Sequence, residues 1–147
     1  MKKTRKQKFK LKISSVTDNL EIIREFINNI AQKAGFNEGS VDQIELAVDE
    51  ACTNVIKHAY KYSRDRMLDI AVSLDQEKIE ISIMDKGAGF NPDNLPIPDL
   101  EKYMRNAKVG GLGIHLMRTL MDEVNFSINP GNKNQVSLVK YRTQKSA

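Results

Sequence analysis

Tryptophan is absent from this chain, cysteine occurs once, and no apolar run approaches the roughly 20 residues that a membrane-spanning helix needs. A lone cysteine, Cys52, cannot close an internal disulfide, so the chain does not depend on an oxidising compartment. The basic start MKKTRKQKFKLK is not followed by the apolar core of a secretory signal. With aromatics at only 6 %, no platform for stacking single-stranded bases is visible. Proline is sparse, and three of the four prolines (Pro92, Pro96, Pro98) crowd into one short stretch. These absences leave a soluble, cytoplasmic protein without membrane contact as the expectation.

The charge needs a closer look. The net charge is +4, but residues 1–12 alone hold seven cations and no acid, and outside them 16 basic residues face 19 acidic ones. The basicity is therefore concentrated at the start, with residues 1–7 read as a tail, and no direct nucleic-acid binding is expected. At 147 residues the chain is long enough for one domain with one core.

Residues 8–14 alternate Phe9, Leu11 and Ile13 with lysines, the pattern of a half-buried strand. Ser15 to Asp18 offers N-cap residues for a helix over about 18–34, closed by Gly35. A second helix is expected from about Ser40 to Tyr60. Strands follow at 67–74 and 78–84, joined by a hairpin turn at 75–77. Residues 85–111 are irregular, with a short helix plausible at 99–106, and Gly110-Gly111 close the stretch. A helix over about 112–122 and strands near 123–129 and 134–141, with a turn at 129–132, complete the chain. Hairpin-linked strands with helices grouped between them predict an α+β two-layer sandwich: a mixed, mostly antiparallel sheet with helices on one face. An irregular stretch of about 25 residues in so small a domain is itself the signature of a binding loop or lid.

Three segments carry candidate chemistry. On the second helix Glu50, Asn54, Lys57 and His58 fall on one side. An amide oxygen suits Mg²⁺, an ammonium suits phosphate oxygens, and a carboxylate one turn away can take a proton from an attacking hydroxyl. The same spacing also fits a solvated helix face, and His58 also fits a surface position near a helix end. Asp49 and Glu45 lie off the ridge that Glu50 shares with Asn54. The second segment, DKGAGF (85–90), puts a carboxylate at the end of an apolar strand, followed by Gly87 and Gly89. Asp85 can accept from the exocyclic amino group of adenine, and the glycines allow backbone to come close to a base. The third, Gly110-Gly111-Leu112-Gly113-Ile114, opens a helix and directs free N–H groups at an anion. No GxxxxGK[ST] loop occurs, so this is not a Walker site.

Taken in order, AVDEACTNVIKHAY (47–60), DKGAGF (85–90) and GGLGIHLMRTLMDEV (110–124) resemble the Bergerat-fold (GHKL) ATPases, a superfamily that includes gyrase-type, MutL-type and histidine-kinase ATP-binding domains. Within it the chain is most similar to bacterial anti-sigma factors that are also serine-protein kinases, the RsbW and SpoIIAB type. The likeness runs from about residue 8 to 141.

The resemblance implies ATP and Mg²⁺ as cofactors, Asn54 as the metal ligand and Glu50 as the base. It implies Asp85 as the adenine-holding carboxylate with Gly87 and Gly89 beside it, and Gly110 to Ile114 against the phosphates. The loop 91–109 becomes an ATP lid, from which Arg105 or Lys108 reaches the γ-phosphate. The partners implied are a STAS-type antagonist of the anti-sigma factor, a sigma factor and a second copy of the chain. With no phosphoacceptor helix before the domain and no transducer domain after it, a free-standing kinase is the expectation. The alternative is an ATP-gated module that sequesters a partner without phosphorylating it.

Overall fold

The structure is a computed structural model that describes residues 6–87, 109–129 and 132–142. Its elements run β1 Gln7–Ser14, α1 Leu20–Lys33, α2 Glu38–Asn54, β2 Met67–Leu74, β3 Lys78–Asp85, α3 Val109–Leu120, β4 Glu123–Ser127 and β5 Asn134–Tyr141. The strands form one sheet in the order β1-β2-β3-β5-β4. The expected sheet was mixed; all four pairings found among the described residues are antiparallel. Strands β3 and β4 run parallel, joined across helix α3, and β5 returns between them, so every neighbouring pair is antiparallel.

Alternation decides the two faces. Leu68, Ile70, Val72 and Leu74 of β2 and Ile79, Ile81 and Ile83 of β3 are buried under the helices, and Val136 and Leu138 of β5 continue that layer. One row, Leu11–Ile70–Ile83–Val136–Phe126, crosses all five strands in register. The opposite face carries Lys8, Lys10 and Lys12, which are exposed, and Asp69, Ser73, Glu80 and Ser82, which are half-buried. Helix α2 lies at the centre of the helical layer, packed between α1 and α3 and over β3 and β5. Its Val41, Ile44, Ala47, Val48 and Ala51 are buried, as are Ile23, Ile27 and Ile30 of α1. Each large side chain so buried contributes about 1.5–3 kcal/mol.

The helix ends depart from the sequence expectation in three places. Helix α1 has no side-chain cap from Ser15 to Asp18; a 3₁₀ turn, Thr17–Asn19, leads into it instead. Helix α2 starts two residues before Ser40, because the Asn37 side chain caps it by accepting from the Ser40 N–H at 2.8 Å. Helix α3 starts at Val109, so Gly110 and Gly111 lie in its first turn and do not close a loop. At the other end of α1 Gly35 does end the helix, with a φ of +96°.

Candidate functional site

Helix α2 does not finish as an α-helix. Residues Val55–Ala59 form a π turn, closed by the Tyr60 N–H on the Val55 carbonyl at 2.8 Å. Such one-turn widenings recur at functional sites, and here the widening begins directly after Asn54. It also splits the predicted ridge. Glu50 and Asn54 remain one α-helical turn apart, Lys57 is half-buried in the π turn, and His58 is exposed.

Asn54 is the anomaly of the interior. Its side chain is 4 % exposed, yet neither its Oδ1 nor its Nδ2 has a hydrogen-bond partner among the described residues. A buried amide left unpaired costs about 1–3 kcal/mol, so it marks a place prepared for something else. Facing it across the helix interface is Gly113 of α3. A Cβ at Gly113 would stand 3.1 Å from Glu50 Oε2 and 3.2 Å from Asn54 Nδ2. Glycine at 113 therefore leaves these two side chains their space. An orphaned amide oxygen beside a carboxylate is a donor set of the hard-oxygen kind that fits Mg²⁺.

The Glu50 carboxyl is held above its ordinary pKa by partial burial and by the neighbouring Asp49 charge, with Lys57 acting in the opposite sense. The His58 imidazole is pushed below its usual value by desolvation and then by Lys57. The two acids of α2 nearest Glu50 in sequence are engaged elsewhere. Asp49 pairs with Arg24 at 2.8 Å, and Glu45 accepts a hydrogen bond from Asn28.

Asp85 ends β3 as a buried carboxylate, 7 % exposed, at the point where the apolar row of the sheet stops. Its Oδ1 accepts from the Gly87 N–H at 2.8 Å and from Asn134 Nδ2 at 3.0 Å. No described residue bonds Oδ2, which keeps an acceptor available. Gly87 is obligatory for a different reason than close approach to a ligand. A Cβ there would lie 2.5 Å from the Ala59 carbonyl oxygen, so this glycine lets the β3 exit pack on the π turn. Asn134 was not singled out in the sequence. It is 2 % exposed, opposes Asp85 in register, donates also to the Gly87 carbonyl at 2.9 Å and accepts from the Asn129 N–H. The run NPGN (129–132) reads as turn chemistry and Asn134 as the start of the strand after it, and only the strand register reveals that Asn134 supports the carboxylate.

Asn54, Asp85 and Asn134 line one cleft with apolar walls from Ala51, Ile83, Met117 and Val136. The slot measures only about 30 Å³, and what it offers is an acceptor beside apolar walls, the chemistry that meets an amino donor on a heterocycle. Ile114 is buried beside the cleft helix, and Gly110, Gly111 and Leu112 lie in the first turn of α3. Gly89, Arg105, Lys108 and the expected lid 91–109, apart from Val109, lie outside the described residues. No helix among the described residues is long and apolar enough to cross a membrane.

Comparison with known proteins bears on the family and the fold. Residues 13–140 match the family described as histidine kinase-like ATPase domain. The chain is 32 % identical over 136 residues to the serine-protein kinase RsbW of Bacillus subtilis (strain 168), covering 89 % of this chain and 83 % of the relative. It is 34 % identical over 124 residues to the serine-protein kinase RsbW of Bacillus licheniformis, covering 82 % and 76 %. Among solved structures, the RsbU and RsbW domains of Rv1364c from Mycobacterium tuberculosis superpose with a TM-score of 0.65 at 14 % identity, over 91 % of this chain and 32 % of that one. The SiaB-SiaC complex of Pseudomonas aeruginosa gives 0.62 at 14 % identity, over 90 % and 88 %. The chain belongs to the histidine kinase-like ATPase family and, within it, to the group of the RsbW serine-protein kinases.

Proposed function

We propose that this protein is an ATP-dependent kinase that phosphorylates a serine or threonine of a STAS-type antagonist protein, and that it also acts as an anti-sigma factor, binding a sigma factor as a homodimer in the cytoplasm. The observation that carries the reading is the buried Asn54 amide, unpaired among the described residues, beside Glu50 and opposite Gly113, in the cleft that Asp85 lines. The names of the RsbW relatives support the choice of a serine-protein kinase.

In this reading Asp85 accepts the amino group of adenine through the oxygen that Gly87 and Asn134 leave free. The first turn of α3 offers N–H groups to the phosphates, and Lys57 adds a cation. Asn54 is the residue that would hold Mg²⁺, which when bound would neutralise phosphate oxygens. Glu50 takes the proton of the attacking hydroxyl; the hydroxyl oxygen bonds to the γ-phosphorus as the bond to ADP breaks, and ADP leaves. Such transfer requires mainly positioning and charge neutralisation. A raised pKa makes the Glu50 carboxylate a stronger base than a free one.

Incubation with labelled ATP and the antagonist should label the antagonist. Glu50→Gln should lower transfer by about 10²–10⁴-fold while ATP binding persists. Normal transfer by that variant would remove Glu50 as the base. A second reading, an ATP-gated sequestering module, is favoured by the fact that Asn54, Asp85 and Gly113 all speak for holding a nucleotide and only Glu50 for transfer. Stoichiometric partner binding with no phosphoprotein in any nucleotide state would decide for it.

A further inference from the structure

Immediately after the π turn the chain enters an unusual conformation. Lys61 and Tyr62 both have positive φ, +49° and +63°, and neither is glycine. A left-handed residue of this kind costs of order 1 kcal/mol or more and persists only where its surroundings over-determine it. The turn is fixed by the Tyr62 N–H on the Ile56 carbonyl at 2.8 Å and the Ser63 N–H on the Tyr60 carbonyl at 2.9 Å. Its effect is to bring Tyr60 and Arg66 together under the exit of β3.

What they hold there is one peptide. The Tyr60 hydroxyl accepts from the Lys86 N–H at 2.8 Å and donates to the Met67 carbonyl at 3.0 Å, so both of its bonding capacities are used. The Arg66 guanidinium lies 4.7 Å over the Tyr60 ring and donates to the Lys86 carbonyl at 3.0 Å. Arg66 is itself anchored, its carbonyl accepting from the Ser15 N–H at 2.8 Å. Lys86 sits between Asp85 and Gly87, whose polar groups are tied to one another and to Asn134. The N–H and the carbonyl of Lys86 are thus gripped by two side chains stacked on each other, while Asn134 holds the residues on either side.

We propose that Tyr60 and Arg66 are positioning residues for base recognition: by clamping the Lys86 peptide they fix the direction in which the Asp85 carboxylate faces the cleft, although neither touches the nucleotide. The clamp also ties the recognition end of the site to the π turn that follows Asn54, so the base end and the phosphate end are set by one piece of backbone. This inference rests on the reading in which Asp85 holds the adenine amino group.

The test is calorimetric titration of the full chain with ATP and with purine riboside triphosphate, which lacks the 6-amino donor, both with Mg²⁺. The unaltered protein should bind ATP more tightly. Tyr60→Phe keeps the ring and removes the hydroxyl; it should weaken ATP binding by about five- to tenfold and leave the analogue within about twofold. Arg66→Ala, at an exposed position where folding is not at stake, should show the same selective loss at about threefold. Parallel loss for both ligands would mean that the clamp is structural only, and full retention of ATP preference in both variants would also overturn the proposal. If the unaltered protein does not distinguish the ligands, the assignment of Asp85 fails and the clamp with it. If it does distinguish them and the variants do too, the clamp alone fails.

Discussion

Asn54 keeps two buried hydrogen-bonding atoms without a partner among the described residues, and stability alone would not select that. Replacing it with alanine removes the unsatisfied group at the expense of a small cavity, two effects of similar size and opposite sign. Asn54→Ala should therefore leave the melting temperature of the nucleotide-free protein within about 2 °C while the Mg²⁺-dependent part of ATP affinity disappears. A clearly lower melting temperature without change in Mg²⁺ dependence would show the amide to be a packing residue. Gly87 predicts the reverse pairing. Its missing Cβ faces the Ala59 backbone at 2.5 Å, where no flexible side-chain end can yield. Gly87→Ala should destabilise by about 1–3 kcal/mol, read by urea denaturation, and lose nucleotide binding with it.

Glu50 supplies the pH prediction at this scale. Its folded pKa lies above the ordinary 4.5, chiefly through burial. A carboxyl with a raised folded pKa contributes stability that is fully present below its unfolded value and is lost as pH rises through the folded one. Stability should therefore fall across an interval beginning near 4.5 and ending above the raised value, and Glu50→Gln should remove that fall. Phosphoryl transfer should rise across the same interval, since the base works only when deprotonated. An unaltered acid limb in the stability profile of the variant would assign the titration to another group.

At the scale of elements, the strands and the central helix are legible because each announces itself by a period: alternation in 67–74 and 78–84, a stripe that begins Val41, Ile44, Val48, Ala51. What was not legible is where α-helical geometry stops applying. The ridge Glu50–Asn54–Lys57–His58 assumed one helix to Tyr60; the π turn keeps the first pair and leaves His58 exposed. Glycine misled in the same way, since Gly110 and Gly111 signal a break by composition, and the first turn of α3 absorbs them. Asp85 could be read from its place after an apolar strand, whereas Asn134, 49 residues away, needed the β3–β5 register. The α2–α3 contact gives the element-scale test. Alanine at Gly113 should gain up to about 1 kcal/mol of helix propensity, while its Cβ crowds Glu50 and Asn54 at 3.1–3.2 Å. Both neighbours are ends of side chains and can move by a few tenths of an ångström. Gly113→Ala should thus fold as well as the unaltered chain and still lose Mg²⁺-dependent affinity and transfer. Equal activity would show that the space opposite Asn54 is not used.

For the whole molecule, the site joins parts distant in sequence: α2, the ends of β3 and β5, and α3. A ligand bridging all of them stabilises the fold as a unit and not one loop of it. At a hundredfold excess over Kd, linkage adds about 2.7 kcal/mol, which for a domain of this size is roughly 8–10 °C in melting temperature. Asp85→Asn is the variant that separates ligand linkage from fold. An amide at 85 can still accept from the Gly87 N–H and from Asn134 through its oxygen, so the unliganded fold should stand. Its nitrogen, however, would occupy the place of Oδ2 and present a donor to the adenine amino donor. The thermal shift produced by Mg²⁺-ATP should then shrink to about 2 °C or less, with the unliganded melting temperature nearly unchanged. A full shift in Asp85→Asn would mean that the base is held elsewhere in the cleft, and the apolar walls at Ile83, Met117 and Val136 would have to carry its recognition.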